Sequence, residues 1–226
     1  MAPEAAAWAC LRGLGVCADH PGAGPVGRGR VDEAGLAGMS ISWLTVGTPL
    51  PSGPMQIAVT PAGVVAAGYG VSETGPQAQP CTDRVKIEAV TGRITEYLAG
   101  ERREPGLPLD WSRASGPHLV VLRTLLAEVP FGRTITYGEL AARSGVFDDI
   151  TEPGLAARTV GQMMAANPLP LLVPCHRVVA ADGIGGFGGG RVGVEVKRWL
   201  LTLEGVLEPT LDWNGPDWNG PDGGAA

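Results

Sequence analysis

Residues 171–180 constrain this chain most, because they place a reactive side chain at the end of an apolar run. They read Leu-Leu-Val-Pro-Cys-His-Arg-Val-Val-Ala, so apolar residues stand on both sides of Pro174, Cys175 and His176. The run 171–173 predicts a buried strand that ends just before the cysteine. Proline fixes its own backbone angle and restricts the residue before it, so we expect the cysteine to be held in one position.

Cys175 has two interpretations at this point. The thiolate is the attacking form of cysteine, and His176 is placed to supply the base or proton carrier that such a nucleophile needs. Free cysteine is also among the most buried residue types, so a structural place in the core is the alternative. The pentapeptide 174–178 alone leaves both open.

The first half of the chain predicts a small sheet with one helix packed on it. Segments 41–46, 55–60 and 64–69 read as strands, because β-branched and apolar residues alternate there between turn residues. Apolar residues at near-helical spacing predict a helix over 83–98. The chain also holds 35 glycines and 20 prolines, so long irregular segments are expected.

The second half predicts helices. An apolar stripe marks a helix over 117–129, and Pro130 is its stop signal. Helices at 138–144 and 155–166 around the turn 145–154 indicate a helix-turn-helix. The glycine-rich loop 183–190 then leads into a last helix, roughly 195–203.

We therefore predict an α+β fold in two domains. A small sheet-plus-helix domain spans 39–100, a linker spans 101–116, and a helical, winged-helix-like domain with the helix-turn-helix and Cys175 spans 117–206. Residues 1–38 show no clear period, and residues 207–226 repeat Asp-Trp-Asn-Gly-Pro, so both are expected to be disordered.

Charge and cysteine usage limit the function classes. The net charge of −6 gives no nucleic-acid signal, so any DNA contact must use a local surface. No apolar run approaches the length that crosses a bilayer, and the N-terminus lacks a secretory signal, so we expect a cytoplasmic protein without membrane contact. Cys10, Cys17 and His20 supply three potential metal ligands at irregular spacing without a fourth, so a metal site there is an open question and none is predicted.

Several motifs occur in one order over residues 117–205. They are Val-Pro-Phe-Gly-Arg-Thr-Ile-Thr-Tyr-Gly-Glu-Leu-Ala at 129–141, Ala-Arg-Thr-Val-Gly at 157–161, Asn-Pro at 167–168, Pro-Cys-His-Arg-Val at 174–178, Gly-Phe-Gly-Gly-Gly at 186–190 and Lys-Arg-Trp-Leu-Leu-Thr-Leu-Glu-Gly at 197–205. This order closely resembles the O6-alkylguanine-DNA alkyltransferases, which are self-methylating DNA repair proteins. The resemblance implies a monomer that acts on double-stranded DNA containing O6-alkylguanine and needs no cofactor.

The resemblance also implies the catalytic roles. Cys175 takes the alkyl group irreversibly and is spent by one turnover. His176 activates the sulfur through a water and is oriented by Glu204. This is physically reasonable, because a carboxylate favours the charged imidazole and that charge favours the thiolate. Asn167 matches the asparagine that holds the turn before the active-site strand.

Further residues are implied in substrate and DNA binding. Arg158 matches the arginine finger that replaces the flipped-out base in the stack, because a base inside a duplex gives sulfur no path to its substituent. The residues expected at the substrate are Tyr137, Val178, Phe187 and Gly188, and those expected at DNA beside Arg158 are Thr136 and Gly161. The helix that carries Arg158 is rich in small residues, which suits close approach to a minor groove.

Some positions depart from the family pattern. Gln162 and Met163 are larger than the residues usual on the recognition helix, and the long turn 145–154 carries Asp148, Asp149 and Glu152. Phe187 replaces a usual tyrosine of the lid. About three extra residues stand around 191–194, in the loop that closes over the alkyl group in the family.

The main alternative function is a protein of the same fold that binds the lesion without repairing it. An alkylation-sensing regulator and a Cys–His hydrolase rank below it.

Overall fold

The computed structural model describes residues 41–70, 79–188 and 190–216. The predicted extension at 1–38, with Cys10, Cys17 and His20, lies outside the described residues, as does the second copy of the terminal repeat. None of the described helices is long and apolar enough to cross a membrane. The α+β class expected from the sequence is confirmed.

A four-stranded sheet forms the first half. Its strands are β1 (Ser42–Val46), β2 (Met55–Val59), β3 (Val64–Tyr69) and β4 (Gln79–Pro80), in the order β3-β2-β1-β4. β1 and β3 are antiparallel to β2, whereas β4 is parallel to β1. The first three strands were predicted, whereas β4 is a short edge strand that was not predicted from the sequence.

Helix α1 (Arg84–Leu98) packs on this sheet. Asp83 begins it, since its carboxylate accepts hydrogen bonds from the amides of Val85 and Lys86. Val90, Ile94, Tyr97 and Leu98 are buried along one face. Tyr97 thereby reaches from α1 into the second half of the molecule.

The segment 101–116, predicted as a linker, is packed against β3. The Val64 amide donates to Pro108 O, and the Asp110 amide donates to Val64 O, both at 2.8 Å. The buried Thr60 hydroxyl donates to Asp110 Oδ2 at 2.7 Å. One apolar cluster therefore runs through both halves of the chain.

Three helices follow: α2 (Gly116–Glu128), α3 (Tyr137–Ser144) and α4 (Leu155–Ala165). α3 begins with a capping box, in which Thr136 Oγ1 accepts from the Glu139 amide and the Glu139 side chain accepts from the Thr136 amide. It ends at Gly145, which adopts the left-handed conformation with φ of 67°. α3 and α4 pack closely, as expected of a helix-turn-helix.

The predicted strand at 171–173 is wrong. Leu171 has a φ of 74°, in the left-handed region, and the Val173 amide donates to Leu169 O, so the chain turns here. Residues Cys175–Arg177 then form one turn of 3-10 helix, and β6 (Val178–Val179) pairs in parallel with β5 (Ile135–Thr136). The apolar run signalled burial correctly, but burial alone does not distinguish a strand from a compact turn.

The last helix and the tail also differ from expectation. α5 spans Gly190–Leu203, so residues 191–194 form its first turn and are not a loop. Residues 207–216 are not a free tail, because the Trp213 ring packs on Trp199 with centroids 5.2 Å apart. The Trp199 indole also donates to Asn214 Oδ1 at 2.9 Å. Two large aromatic rings supply enough apolar surface to hold the first copy of the repeat on the body.

Candidate active site

Cys175 is the first residue of the 3-10 turn, which lies between the compact turn at 171–173 and β6. Only 4% of Cys175 is exposed. Burial raises the pKa of its thiol, although a hydrogen bond from Asn167 and the charge of Lys197 oppose this rise. Burial therefore disfavours the thiolate, which the charge of His176 was expected to favour. The buried sulfur needs a base to become a thiolate.

Asn167 holds the turn that delivers the cysteine. Its Nδ2 donates to Val173 O and its Oδ1 accepts from the Leu169 amide, both at 3.0 Å. These bonds span the left-handed Leu171, a conformation that costs a β-carbon-bearing residue on the order of 1 kcal/mol or more. The asparagine side chain thus offsets the strain of the backbone that positions the sulfur.

His176 and Glu204 form a fully buried pair. His176 Nε2 lies 2.8 Å from Glu204 Oε1, and both side chains have 0% exposure. His176 Nδ1 is buried and has no hydrogen-bond partner within the described residues. With the carboxylate fixing the proton on Nε2, Nδ1 is the ring nitrogen left to accept a proton.

Glu204 is the most heavily bonded carboxylate of the site. Tyr97 donates its hydroxyl to Oε1 at 2.6 Å, and the Gly132 amide donates to Oε2 at 3.1 Å. The Arg177 guanidinium donates to both oxygens, with contacts of 3.0 and 3.1 Å. Burial alone would raise the pKa of Glu204, yet the charges and hydrogen bonds of His176 and Arg177 lower it to about 2. The carboxylate is therefore ionised at neutral pH.

Lys197 is a site residue that sequence reasoning missed. Its Nζ is buried and donates to Val178 O at 2.6 Å and to Gly186 O at 3.3 Å. Burial lowers its pKa to about 8, and the charge of Cys175 partly opposes this. The available signal was a lysine between Val196 and Leu200 on the apolar face of α5, where an unpaired cation is rarely placed.

The expected substrate residues surround this lysine. Its Nζ lies 5.8 Å from the centre of the Tyr137 ring and 5.7 Å from that of Phe187. The Tyr137 hydroxyl donates to Gly186 O at 3.3 Å, and Val178 is fully buried below. Gly188 lies at the outer end of the loop, where its carbonyl contacts Gly193 of α5. The structure thus brings Tyr137, Val178 and Phe187 together and leaves Gly188 exposed.

Tyr69 is the second residue that the sequence did not single out. It ends β3, and its ring lies 5.8 Å from the Phe187 ring. Its hydroxyl is buried without a hydrogen-bond partner in the described chain. Burial raises the pKa of this phenol well above its usual value, and negative charge at Cys175 and Glu204 raises it further.

The expected DNA-binding residues lie apart from the buried centre. Arg158 is exposed on the first turn of α4 and pairs with Glu152, Nη2 to Oε1, at 2.7 Å. Thr136 is occupied as the cap of α3. Gly161 faces inward, toward the Tyr137 ring. Of the two bulky residues on the helix, Gln162 is exposed, whereas Met163 is half-buried against the core, so one of them projects outward.

Comparisons with known proteins show which family this chain resembles. Residues 120–206 match the family model of the 6-O-methylguanine DNA methyltransferase DNA-binding domain. The chain is 39% identical over 161 residues to the DNA base-flipping protein of Thermus thermophilus, covering 70% of this chain and 98% of that protein. It is 43% identical over 113 residues to the methylated-DNA–protein-cysteine methyltransferase of Methanopyrus kandleri, covering 47% and 76%. The crystal structure of Mycobacterium tuberculosis OGT in complex with DNA matches with a TM-score of 0.59 and 32% identity, covering 72% and 92%.

Proposed function

Since the chain belongs to the 6-O-methylguanine DNA methyltransferase family, we infer that it repairs DNA by moving the alkyl group of O6-alkylguanine onto Cys175. The observation that carries this function is the buried pair of His176 and Glu204 beside the cysteine. It leaves Nδ1 as an acceptor for the thiol proton.

The first step is loss of the thiol proton. Because burial raises the thiol pKa, His176 has to accept the proton at Nδ1, through one water as in the family. Glu204 remains ionised with a pKa of about 2 and stabilises the imidazolium that forms. The ammonium of Lys197 and the Asn167 side chain stabilise the thiolate.

The second step is the transfer. A bond forms between the sulfur and the alkyl carbon as the bond from that carbon to O6 breaks. The electron pair stays on O6, and the guanine takes up one proton to become normal guanine. Tyr137 is the donor we assign, because its phenol lies at the pocket and burial raises its pKa, so that it carries its proton at neutral pH. The phenolate then regains a proton from solvent, and the imidazolium of His176 releases one to solvent. Each protein molecule reacts once, because the thioether is not reversed, and no cofactor enters the balance.

DNA binding is supported by the match to a DNA-binding family model and by a similar structure that holds DNA. We assign Arg158 to the space that the flipped guanine leaves. Its guanidinium is exposed at the start of α4, and a planar guanidinium can both stack and donate hydrogen bonds. Thr136 and Gly161 are assigned to the same surface, and Val178, Phe187 and Gly188 to the pocket of the flipped base.

The second candidate is a protein that flips and binds the lesion without repairing it. The relative named a DNA base-flipping protein favours it, because this chain covers 98% of that protein. The presence of Cys175 with an organised base favours transfer.

We also propose that the protein acts as a monomer in the cytoplasm, where reducing conditions preserve the thiol.

A single-turnover assay separates the two functions. The protein is incubated with a duplex that carries one O6-methylguanine, and the peptide containing Cys175 is weighed by mass spectrometry. We expect one methyl group per protein molecule and restored guanine in the DNA. Cys175→Ala should lose transfer and keep DNA binding. Wild-type protein that binds the duplex and leaves Cys175 unmodified would establish the non-catalytic function instead.

A further inference from the structure

The edge of the N-terminal sheet lies directly on the catalytic segment. β3 is one of the two edge strands, and its Ala67 amide donates to Pro168 O at 2.8 Å, next to Asn167. Ala67 and Tyr69, two apart on the strand, both pack against the apolar cluster that runs through both halves of the chain. There its ring packs on Phe187 of the lid.

The hydroxyl of Tyr69 has no structural use in this position. Three buried side-chain atoms lack a hydrogen-bond partner among the residues described, namely Ser52 Oγ, Tyr69 Oη and His176 Nδ1. A buried, unpaired hydroxyl costs on the order of 1–3 kcal/mol. Phenylalanine would fill the same space and pack on Phe187 without this cost. The hydroxyl is therefore a buried donor without an acceptor among the described residues in this state of the site.

Two anionic groups act on this hydroxyl, namely Glu204 and the thiolate of Cys175. The oxygens of Glu204 already accept from Tyr97, His176, Arg177 and the Gly132 amide. Cys175 is different, because its negative charge appears only after deprotonation. The thiolate accepts from Asn167 and from the amides of Cys175 and His176, and its charge also acts on the Tyr69 hydroxyl, which has no acceptor of its own among the described residues.

We propose that Tyr69, from the N-terminal sheet, donates its hydroxyl to negative charge at Cys175 and thereby stabilises the thiolate of the transfer site. This inference rests on the proposed function, since it concerns the same nucleophile. It makes the sheet a part of the reaction, because β3 places the phenol while the second half supplies the sulfur. The remaining ionisable neighbours of the sulfur are His176, Lys197 and Tyr137, which the variant below leaves unchanged.

The test is Tyr69→Phe, which removes one oxygen and keeps the ring. Iodoacetamide alkylation of the intact protein is followed by mass spectrometry from neutral to alkaline pH, without DNA, and Cys81 serves as an internal reference thiol. We expect the apparent pKa of Cys175 to rise and its alkylation at neutral pH to slow about tenfold, as for loss of one hydrogen bond to a charged group. Cys81 should react unchanged. The rate of methyl transfer from the O6-methylguanine duplex should fall by a similar factor, with DNA affinity within about twofold of wild type.

Ser52→Ala is the matched control, because it also removes a buried, unpaired hydroxyl and lies outside the site. It should change neither profile. An unchanged Cys175 profile in Tyr69→Phe, with equal or higher melting temperature, would overturn the proposal and leave Tyr69 a packing residue. A shifted profile in a protein that never transfers methyl groups would instead support the role of Tyr69 and refute the repair function.

Discussion

Two arginine–carboxylate pairs of this molecule have nearly the same length and opposite surroundings. Arg177 lies 3.0 Å from Glu204, with side-chain exposures of 1% and 0%. Arg158 lies 2.7 Å from Glu152, with side-chain exposures of 60% and 63%. The atoms in contact are the same, so the difference between the pairs comes from water.

The difference in exposure gives the two pairs different properties. Removing one partner of a buried pair leaves an uncompensated charge, so the buried pair is fixed and can hold His176 at a constant angle. An exposed pair is worth little, so Arg158 can leave Glu152 for DNA at small cost. In the proposed function, the chemistry depends on the buried pair and DNA recognition depends on the exposed pair.

Glu204→Gln, which disrupts the buried pair, is the variant for which we expect the largest effect. It leaves the guanidinium of Arg177 buried with one of its two carboxylate partners made neutral, and it removes the carboxylate behind His176. We expect a loss of about 3–5 kcal/mol in unfolding free energy and loss of methyl transfer. Chemical denaturation and the single-turnover assay measure the two effects.

The control for this variant is Glu104→Gln. Glu104 contacts the same guanidinium at 3.1 Å, but its side chain is 46% exposed. Its loss should cost less than about 1 kcal/mol. Equal costs for both variants would show that burial does not set the difference between the pairs.

The sequence was sufficient to predict most of the fold and to single out Cys175 as the proposed nucleophile. β1 to β3, α1 and the helix-turn-helix follow from hydrophobic periodicity, which reports each element locally. Residues 171–173 were misread because Asn167 and the left-handed Leu171 turn a strand-like run, and no local pattern encodes that turn. The first turn of α5 was missed because Gly190 and Gly193 weaken helix propensity, whereas Gly193 is required by its contact with Gly188.

Only some of the residues of the candidate site could be predicted from the sequence. His176 is adjacent to the cysteine, and the resemblance located Glu204, Asn167 and Tyr137. Tyr69 and Tyr97 come from elements far away in sequence, and their approach depends on how the sheet docks against the second half. Pairings that depend on such docking leave no periodic signal in one sequence.

Acid denaturation tests how much the ionised Glu204 of the buried pair contributes to the free energy of unfolding. The folded pKa of Glu204 is about 2, below its ordinary value of 4.5, so its contribution to stability is complete above pH 4.5. That contribution, about 3 kcal/mol, should be lost as the pH falls from 4.5 toward 2. Unfolding free energies measured at decreasing pH should show this loss in wild type and lack it in Glu204→Gln. The same acid dependence in both would mean that another carboxylate governs the transition.

Lys197→Met extends the comparison to a buried cation without a carboxylate partner among the described residues. Its ammonium lowers the thiol pKa of Cys175, so the variant should be alkylated about tenfold more slowly at neutral pH. Because the pKa of Lys197 is about 8, this deficit should shrink as the pH rises above 8 and wild type loses the charge. Arg198→Met, on the exposed side of α5, is the matched control and should react as wild type does. A deficit that stays constant with pH would point to lost packing and not to lost charge.

Glu152→Gln tests the exposed pair and should give the smallest effect. Breaking it costs stability less than about 1 kcal/mol, because both groups return to water. The freed Arg158 and the loss of one acidic charge near DNA should raise affinity for a lesion-bearing duplex by roughly threefold at low salt, and the gain should fade as salt screens the charges.

The control is Asp148→Asn, which removes the same charge from the same turn without touching Arg158. If both variants bind DNA equally tightly, the turn acts through its overall charge and the pair itself has no role; a larger gain for Glu152→Gln means that Arg158 has to leave its partner before it meets DNA.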